Sequence, residues 1–320
     1  MIYLSEDQVK DLLTMPACLS EVESAYRADG LEKAFMFPRH NLNLPEKHSY
    51  KILSGALPAL GVLGTLGYTG GYPRHHSPFE CRKLTTLFST ETGEPLACLE
   101  SEYLSWLRTG ATAGIAVRHL ALKEVETVAI LGSGRQARSS LMAVAAVRSI
   151  KEARVYSPTV EHRLEYAREM SEKLNLSVIP VETPREAVQG AQVVVTATSH
   201  RQPVFLGTWW EPGVTIVALG SHDPDRRELD GPTIQQADLI AMDHREQALL
   251  EEGEIILARE EGLLPPPEAL TTLGEVVAGK HPGRRSPEEK MVFLSGGIAL
   301  EYLSVAFYVY KAALAASRLR

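Results

Sequence analysis

A glycine-rich turn between an apolar run and a helical segment carries the strongest chemical signal in this sequence. The run 128–131, Val-Ala-Ile-Leu, leads directly into Gly132-Ser133-Gly134-Arg135-Gln136-Ala137. In a G-x-G-x-x-A pattern the first glycine permits a tight turn, the second lets the backbone approach a pyrophosphate, and the alanine keeps the helix close to the strand. The start of the helix presents free N–H groups to the anion. The pattern predicts that a nicotinamide dinucleotide binds here.

The end of the second predicted strand bears on which dinucleotide is bound. An NAD site usually carries an acidic residue there, about 20 residues beyond the glycines, to hold the ribose hydroxyls. Here the strand 153–156 is followed by Ser157, Pro158 and Thr159, and no acidic residue is present. Ser157, Thr159 and Arg163 are candidates to bind the 2′-phosphate of NADP, although Arg163 also suits a solvated helix surface. The sequence therefore favours NADP(H) over NAD(H).

Two later apolar runs end in small polar residues. The first ends at Thr198 and Ser199, and the second ends at Ser221 and His222. Because the carboxyl ends of parallel strands line the ligand crevice, these side chains are predicted to lie near the nicotinamide. Capping of the loops is the structural alternative for the serine and threonine residues. His222 suits a proton donor near neutral pH, or a hydrogen-bonded residue at a strand end.

The segments around these residues indicate two kinds of domain. From Leu107 onward a helix of small residues is followed by alternating apolar runs and helical stretches, which is typical of a parallel, doubly wound sheet. Residues 36–108 instead contain short β-type runs, two of them joined by a Thr-Gly-Glu-Pro turn at 92–95. Helices are predicted from Ser5, as N-cap, to about Gly30 and over the apolar C-terminal segment. The predicted fold class is α/β, with a Rossmann domain and a smaller α+β domain.

Composition excludes several classes of protein. The chain of 320 residues has a net charge of −7, whereas a nucleic-acid-binding protein needs a basic surface. It has no apolar stretch of about 20 residues for a membrane span, and its acidic N-terminus differs from a signal peptide. Three cysteines without a Cys-x-x-Cys pair suit a reducing, cytoplasmic compartment. The adjacent His75 and His76 lack further ligands at a suitable spacing, so no metal site is predicted.

Five motifs, taken together, resemble the ornithine cyclodeaminase/μ-crystallin family in order and spacing over most of the chain. They are Arg108-Thr109, Gly-Ser-Gly-Arg-Gln-Ala at 132–137, Val-Val-Thr-Ala-Thr-Ser at 194–199, Gly-Ser-His-Asp-Pro-Asp-Arg-Arg-Glu-Leu-Asp at 220–230, and Ser-Gly-Gly-Ile-Ala-Leu-Glu at 295–301. The resemblance implies a homodimer with a substrate and dimerisation domain of residues 1–122 and 298–320, and a Rossmann domain of residues 123–297. It also implies further cofactor-binding residues, namely Thr109, Leu219, Arg226 and Ser295.

The chemistry that this resemblance implies is hydride exchange between a nicotinamide and the α-carbon of an amino acid or its imine. The protein then has to position the α-carbon, hold the carboxylate and supply a proton. Arg108 matches the family's arginine in the Arg-Thr motif, and Arg39 matches a second arginine of the substrate domain. A bidentate guanidinium suits a carboxylate better than an ammonium does. A surface salt bridge is the structural alternative for each arginine.

Two departures from the family pattern bear on activity. The family's catalytic lysine lies shortly after a Leu-Pro-Ala segment, but residues 61–71 contain no lysine. Lys51 and Lys83 are nearby in sequence, and Lys83 is the candidate replacement, with a solvated strand lysine as the alternative. His222 stands where cyclodeaminases carry an acidic residue, so the resemblance does not favour ornithine cyclodeaminase activity.

The sequence therefore favours an NAD(P)H-dependent oxidoreductase of the ketimine reductase or amino-acid dehydrogenase type. Its substrate is expected to be a small amino acid or cyclic imino acid, held by Arg39 and Arg108, with His222 or Lys83 handling the proton. The missing lysine keeps open a crystallin-like protein that binds NADPH with little catalysis. A third hypothesis is an enzyme with another substrate, whose pocket is reshaped by the segment containing Tyr68 and Tyr72.

Overall fold

The computed structural model of the chain describes residues 1–71, 82–220 and 223–318. The contacts divide the chain into two compact units. The first comprises Met1–Arg108 and Gly297–Arg320, and the second comprises Thr109–Gly296. The division falls within the helix α3 (Glu102–Leu120), whereas the sequence placed it after residue 122. The predicted residues Tyr72, His75, His76, Ser221 and His222 lie outside the described residues.

The first unit is built on a seven-stranded sheet with the order β1-β7-β6-β5-β4-β2, in which β3 also pairs with β4. The strands are β1 (Ile2–Leu4), β2 (Phe35–Met36), β3 (His40–Asn43), β4 (Ser49–Leu57), β5 (Val62–Gly70), β6 (Lys83–Ser89) and β7 (Pro95–Glu100). Strands β4 to β7 run antiparallel, and β1 pairs with β7 in parallel. The predicted hairpin at 92–95 is confirmed, since it joins β6 to β7. The C-terminal helix α11 (Ala299–Arg318) packs on β4, β5 and β6.

Two helices occupy the N-terminal segment where the sequence predicted one. Helix α1 (Glu6–Leu12) begins at Ser5, whose side chain forms a capping box with Gln8. Helix α2 (Met15–Gly30) begins at Thr14, whose hydroxyl accepts a hydrogen bond from the Ala17 N–H. Pro16 follows in the first turn of α2, where its missing N–H costs no hydrogen bond. Within one continuous helix, the same proline would remove a backbone hydrogen bond. The prediction of one continuous helix was therefore wrong, although its end at Gly30 is confirmed.

The described residues of the second unit form an eight-stranded parallel sheet with the order β10-β9-β8-β11-β12-β15-β13-β14. The strands are β8 (Thr127–Leu131), β9 (Glu152–Tyr156), β10 (Ser177–Pro180), β11 (Val193–Thr196), β12 (Thr215–Ala218), β13 (Leu239–Met242), β14 (Leu270–Thr272) and β15 (Met291–Leu294). The helices are α4 (Arg135–Val147), α5 (Val160–Leu174), α6 (Pro184–Val188), α7 (Gly231–Gln235), α8 (Arg245–Glu251), α9 (Gly253–Glu260) and α10 (Leu273–Val277). The predicted α/β class with a Rossmann-type parallel sheet is confirmed.

The core of the second unit follows from the residue types of its strands. Strands β11, β12, β13 and β15 are buried at every position, as expected for a parallel sheet covered on both faces. Alternate residues of neighbouring strands, such as Leu131, Val194 and Ile216, share one apolar cluster. This rigid sheet holds the strand ends in which the predicted cofactor residues lie. Among the described residues, no helix is long and apolar enough to cross a bilayer.

Candidate active site

The glycine-rich turn has the geometry that a dinucleotide requires. Gly132 follows β8 with φ +121°, a backbone conformation that residues with a side chain rarely adopt, and a Cβ there would collide with the carbonyl group of Ala197. Its N–H donates to the carbonyl of Tyr156 at 2.9 Å, which ties the turn to the end of β9. Ala137 is fully buried beneath the first turn of α4. The role predicted for each of these residues agrees with its local backbone.

The start of α4 is open on the side where a phosphate would approach. Gly134 is the N-cap, and no side chain caps the first N–H groups of the helix. A Cβ added to Gly134 would meet no atom within 4 Å. Gly134 and Arg135 are exposed, while Ser133 and Gln136 are half-buried. An uncapped helix start above an open space fits a dinucleotide pyrophosphate, which these backbone N–H groups would hold.

The end of β9 carries the residues that were predicted to meet the ribose. Ser157 is buried, and its carbonyl accepts a hydrogen bond of 3.0 Å from Nη1 of Arg163. Thr159 is the N-cap of α5, is exposed, and makes no side-chain capping bond. The structure therefore brings Arg163 to the strand end rather than leaving it on a remote helix surface. The first turn of α5 also holds Glu161, which is exposed.

A buried carboxylate that the sequence did not single out organises the ends of β11 and β12. Glu228 is fully buried, and it accepts hydrogen bonds from the Thr196 hydroxyl at 2.7 Å, the Thr198 N–H at 2.6 Å and the Gly220 N–H at 2.8 Å. Burial raises the pKa of Glu228, and these hydrogen bonds lower it less than burial raises it. Thr198, a predicted nicotinamide neighbour, is thus fixed through its backbone.

The other predicted cofactor residues of the second unit lie at strand ends, in adjoining loops and in α3. Leu219 and Ser295 follow β12 and β15, and the Ser295 hydroxyl donates to Asp243 at 2.9 Å. Ser199 is exposed, Thr109 is buried in α3, and Arg226 lies beside the start of α9.

The first unit contains a buried ion pair centred on Arg108. This arginine is only 7% exposed, and its Nη1 lies 2.5 Å from Oε2 of Glu301. Its Nη2 donates to the hydroxyl of Tyr302 at 2.6 Å, and its Cζ lies 4.3 Å from the centre of the Tyr302 ring. Glu301 in turn accepts a bond of 2.5 Å from the Tyr26 hydroxyl. The alternative of a surface salt bridge for Arg108 is wrong, because both partners are buried.

Lys83 belongs to the same cluster. Its Nζ donates to the Ser105 hydroxyl at 2.9 Å, and that hydroxyl lies 2.9 Å from the hydroxyl of Tyr302. Lys83 is half-buried, and its Nζ lies 5.6 Å from the centre of the Tyr68 ring. The interpretation of Lys83 as a solvated strand residue is therefore wrong. The Lys83 ammonium and the Arg108 guanidinium are therefore joined through the hydroxyls of Ser105 and Tyr302. The sequence predicted roles for the two cations but not for the two hydroxyls.

Arg39 approaches the cluster through Gly297. Its Nη2 donates to the Gly297 carbonyl at 3.1 Å, while a Cβ on Gly297 would lie 2.6 Å from Nη1 of Arg108. Gly297 also has φ +79°, so both its backbone and its surroundings require glycine. The two arginines predicted from the sequence therefore contact the same residue. Two guanidinium groups and an ammonium group close together attract an anion such as a carboxylate.

The phenol of Tyr302 is electrostatically unusual. Burial by itself raises its pKa, but the charges of Arg108 and Lys83 and the hydrogen bond with Ser105 oppose burial more strongly than Glu301 supports it. The pKa of Tyr302 consequently lies below its ordinary value. The same cluster affects Cys18, whose thiol pKa is raised mainly by burial.

Comparison with known proteins identifies the family of the chain. The sequence profile of the ornithine cyclodeaminase/mu-crystallin family matches residues 1–317. The chain belongs to this family. A Delta(1)-pyrroline-2-carboxylate reductase of Bacillus cereus is 36% identical over 231 residues, 72% of this chain and 71% of the relative.

Two solved structures of family members have the same fold over almost the whole chain. The Thermococcus litoralis Delta(1)-pyrroline-2-carboxylate reductase in complex with NADH and L-proline superposes with a TM-score of 0.92 at 32% identity, covering 99% of this chain and 98% of that one. An archaeal alanine dehydrogenase dimer with bound NAD gives a TM-score of 0.90 at 32% identity, covering 98% and 96%. The resemblance inferred from the five motifs is thereby confirmed.

Proposed function

We propose that this protein is an NAD(P)H-dependent oxidoreductase that acts on a small amino acid or a cyclic imino acid. The observation that carries the proposal is the cluster of Arg39, Lys83 and Arg108 around Tyr302 and Gly297, in a chain whose other unit holds the dinucleotide turn. An α-imino acid has a carboxylate beside its electrophilic imine carbon, and this negative group is complementary to the positive charge of the cluster. The named activities of the relatives, Delta(1)-pyrroline-2-carboxylate reductase and alanine dehydrogenase, have the same substrate class.

In this mechanism each residue of the cluster has a separate task. Arg39 and Arg108 hold the substrate carboxylate, which fixes the direction of the α-carbon. The Lys83 ammonium donates a proton to the substrate nitrogen, and in the reverse direction the neutral Lys83 amine accepts that proton. The nicotinamide, when bound, supplies or accepts the hydride. His222 is the alternative proton donor of this mechanism, since an imidazole exchanges protons near neutral pH.

The proposed cofactor preference is NADP(H) over NAD(H). Arg163 lies at the end of β9, the Thr159 hydroxyl makes no capping bond, and no acidic residue occupies 157–159. These groups suit a 2′-phosphate, whereas the ribose hydroxyls of NAD usually bind an acid. The two solved relatives bind NADH and NAD, and the preference proposed for this chain comes from its own residues at the end of β9.

Ser157→Asp is expected to shift the preference from NADPH towards NADH, because a carboxylate repels a 2′-phosphate and accepts hydrogen bonds from a ribose. Arg163→Ala, the companion variant, is expected to weaken NADPH binding about tenfold and to leave NADH binding nearly unchanged. Fluorescence titration of both dinucleotides measures these affinities without any substrate. Equal losses for NADH and NADPH in Arg163→Ala would contradict the assignment.

Turnover on a substrate panel tests the proposed function. Oxidation of NADPH and NADH is followed with five- and six-membered cyclic imino acids, and with α-keto acids plus ammonia or amines. Turnover on an imino acid or on a keto acid with an amine supports the proposal. Dinucleotide binding without turnover on any member of the panel would contradict it.

A second candidate function is a dinucleotide-binding protein with little catalysis. Strand β5, in the segment where the family carries its lysine, has glycine at 64 and 67, and the Tyr50 hydroxyl occupies the space that a side chain at Gly67 would need. No lysine of the described residues lies on β5. The substrate panel distinguishes the two candidate functions, since a dinucleotide-binding protein with little catalysis is expected to bind the cofactor without turnover.

We also propose that two copies of the chain pair through the sheet of the first unit. Six of its strands each place one exposed apolar side chain on the face opposite α11: Tyr3, Phe35, Leu42, Tyr50, Leu63 and Leu84. Their exposed fractions run from 39% to 63%, and exposed apolar side chains gathered on one face often mark a protein–protein interface. Sheet faces of this kind pack on each other about 10 Å apart. The archaeal alanine dehydrogenase is a dimer, which agrees with the proposal.

Leu63→Arg is expected to convert the dimer to a monomer, because a charge at the centre of an apolar interface loses its solvation. Leu164→Arg is the control, since Leu164 is an exposed leucine on α5 of the second unit. Light scattering coupled to size-exclusion chromatography gives the mass of each variant. A monomeric wild type, or a dimeric Leu63→Arg variant, would contradict the proposed interface.

The proposed location is the cytoplasm. Cys18 and Cys98, the cysteines among the described residues, form no disulfide with each other, and both have a raised pKa owing mainly to burial. Unreactive thiols suit a reducing compartment.

A further inference from the structure

A buried chain of hydrogen bonds joins the two cations to which the proposed mechanism assigns different tasks. It runs from Lys83 on β6 to Ser105 on α3, to Tyr302 on α11 and back to Arg108 on α3, with distances of 2.9, 2.9 and 2.6 Å. Ser105 and Arg108 are three residues apart on α3 and therefore lie on the same side of that helix. Tyr302 is 3% exposed, so water does not compete for its hydroxyl.

We propose that Tyr302 is a positioning residue that couples the carboxylate-binding Arg108 to the proton-donating Lys83, with Ser105 as the link. This inference rests on the proposed function, because it assigns a role within that reaction. Tyr302 fixes the guanidinium twice, by stacking at 4.3 Å and by accepting a bond from Nη2. It fixes the flexible lysine indirectly, since the Ser105 hydroxyl accepts a bond from Nζ.

This coupling explains how a lysine on β6 replaces one on β5. A lysine side chain has a flexible stem of four carbons, and without a fixed partner its ammonium group samples many positions. A proton donor has to lie within hydrogen-bond reach of the substrate nitrogen while the carboxylate is held. The ring of Tyr302 thereby holds the two cations at a constant separation, so that one is placed to meet the substrate nitrogen while the other holds the carboxylate.

The charges around Tyr302 give the coupling a pH dependence. Arg108 and Ser105 face it from α3, Lys83 from β6, and Glu301 from the preceding position of α11, while Tyr26 and Cys18 of α2 face Glu301 and Arg108. The two cations lower the pKa of Tyr302 below its ordinary value of about 10. Deprotonation of Tyr302 therefore begins at lower pH than that of an ordinary tyrosine, and this ionisation reports on the coupling.

A titration that needs no turnover tests the coupling. Tyrosinate absorbance of the wild type minus that of Tyr302→Phe isolates the ionisation of Tyr302, and its midpoint is expected below that of an ordinary tyrosine. Lys83→Gln is expected to move this midpoint upward, because a positive charge near the phenol is removed. Tyr310→Phe, two turns along the same helix, is the control for loss of one hydroxyl. A midpoint that Lys83→Gln leaves unchanged would overturn the coupling.

The kinetic test uses the holoenzyme and the substrate that gives the fastest turnover. Tyr302→Phe is expected to raise KM and to lower kcat, each about tenfold, whereas Ser105→Ala lowers kcat with little change in KM. The double variant is expected to match the kcat of either single variant, because each breaks the same chain. Ser105→Thr keeps the hydroxyl and is expected to restore kcat. If the fold-decrease in kcat of the double variant equals the product of the two single decreases, the proposal is overturned, since the two residues then have independent roles.

The pH profile separates positioning from a merely structural role. The change in kcat that accompanies ionisation of Tyr302 in the wild type is expected to be absent from the pH profile of Tyr302→Phe. A structural defect would lower kcat equally at every pH. If the wild type turns over no imino acid but Lys83→Gln still shifts the Tyr302 midpoint, the proposed function fails and the coupling stands.

Discussion

Arg108→Met is expected to abolish saturation by the substrate and to unfold at markedly lower denaturant concentration. The variant leaves the buried carboxylate of Glu301 without its guanidinium, and loss of one partner of a buried pair costs about 3–5 kcal/mol. The substrate carboxylate loses its bidentate partner, which lowers affinity on the order of 100-fold. Urea unfolding and substrate titration of the same preparation measure the two effects.

The double variant Arg108→Met/Glu301→Gln separates the two effects. A neutral amide in place of the Glu301 carboxylate removes the buried charge, so much of the lost stability is expected to return. The substrate affinity is expected to stay low, because the guanidinium is still missing. Dinucleotide affinity, measured alongside, is expected to equal that of the wild type in both variants. If the double variant recovers substrate affinity together with stability, Arg108 serves only as the structural partner of Glu301.

Gly134→Ala is expected to lower dinucleotide affinity at least tenfold without changing Tm. The added methyl group meets no protein atom within 4 Å, and the backbone at this residue is extended, so the fold accepts alanine. The methyl group instead occupies the space through which the pyrophosphate reaches the N–H groups of α4. Calorimetric titration with NADPH and NADH and a thermal melt of the free protein check the two halves of the prediction.

Gly132→Ala provides the comparison. There the positive φ and the collision with Ala197 act on the folded protein itself, so both Tm and dinucleotide affinity are expected to fall. Gly134→Ala is therefore expected to lower dinucleotide affinity alone, whereas Gly132→Ala is expected to lower both dinucleotide affinity and Tm. A Gly134→Ala protein that binds both dinucleotides as the wild type does would place the pyrophosphate elsewhere.

Local signals were enough to predict the dinucleotide turn. An apolar run, two glycines at a fixed spacing and a helical segment lie within 20 residues, and the structure has β8, Gly132 and α4 in that order. The break at Thr14 also had a local signal, a capping threonine two residues before Pro16. It was missed because apolar residues recur at helical spacing on both sides of it.

The sheet order and the strand β15 depend on contacts that no local pattern contains. Residues 291–294 are four apolar residues, too few to distinguish a strand from a buried helix segment. The strand lies between β12 and β13, although it follows both in sequence. Its position is set by burial on both faces of the parallel sheet, a property of the assembled unit.

The sequence offered Arg108 and Lys83 as candidate site residues, but it did not indicate their partners. Arg108 and Lys83 were named because guanidinium and ammonium groups suit a carboxylate and a proton. Glu301 and Tyr302 lie more than 190 positions from Arg108, and nothing in the spacing shows that these side chains meet. Glu228 was quoted within a motif, yet its burial and its three hydrogen bonds appear only in the folded unit.

Transfer of an isotopic label tests the central claim most directly. The purified protein is mixed with NADPH that carries deuterium at the reactive C4 position and with a cyclic α-imino acid, and the product is analysed by mass spectrometry and proton NMR. The proposed function predicts one deuterium on the α-carbon of a cyclic amino acid, in an amount equal to the NADPH oxidised. Oxidation of NADPH with no deuterium on that carbon, or no reaction by a protein that binds the cofactor, would contradict it.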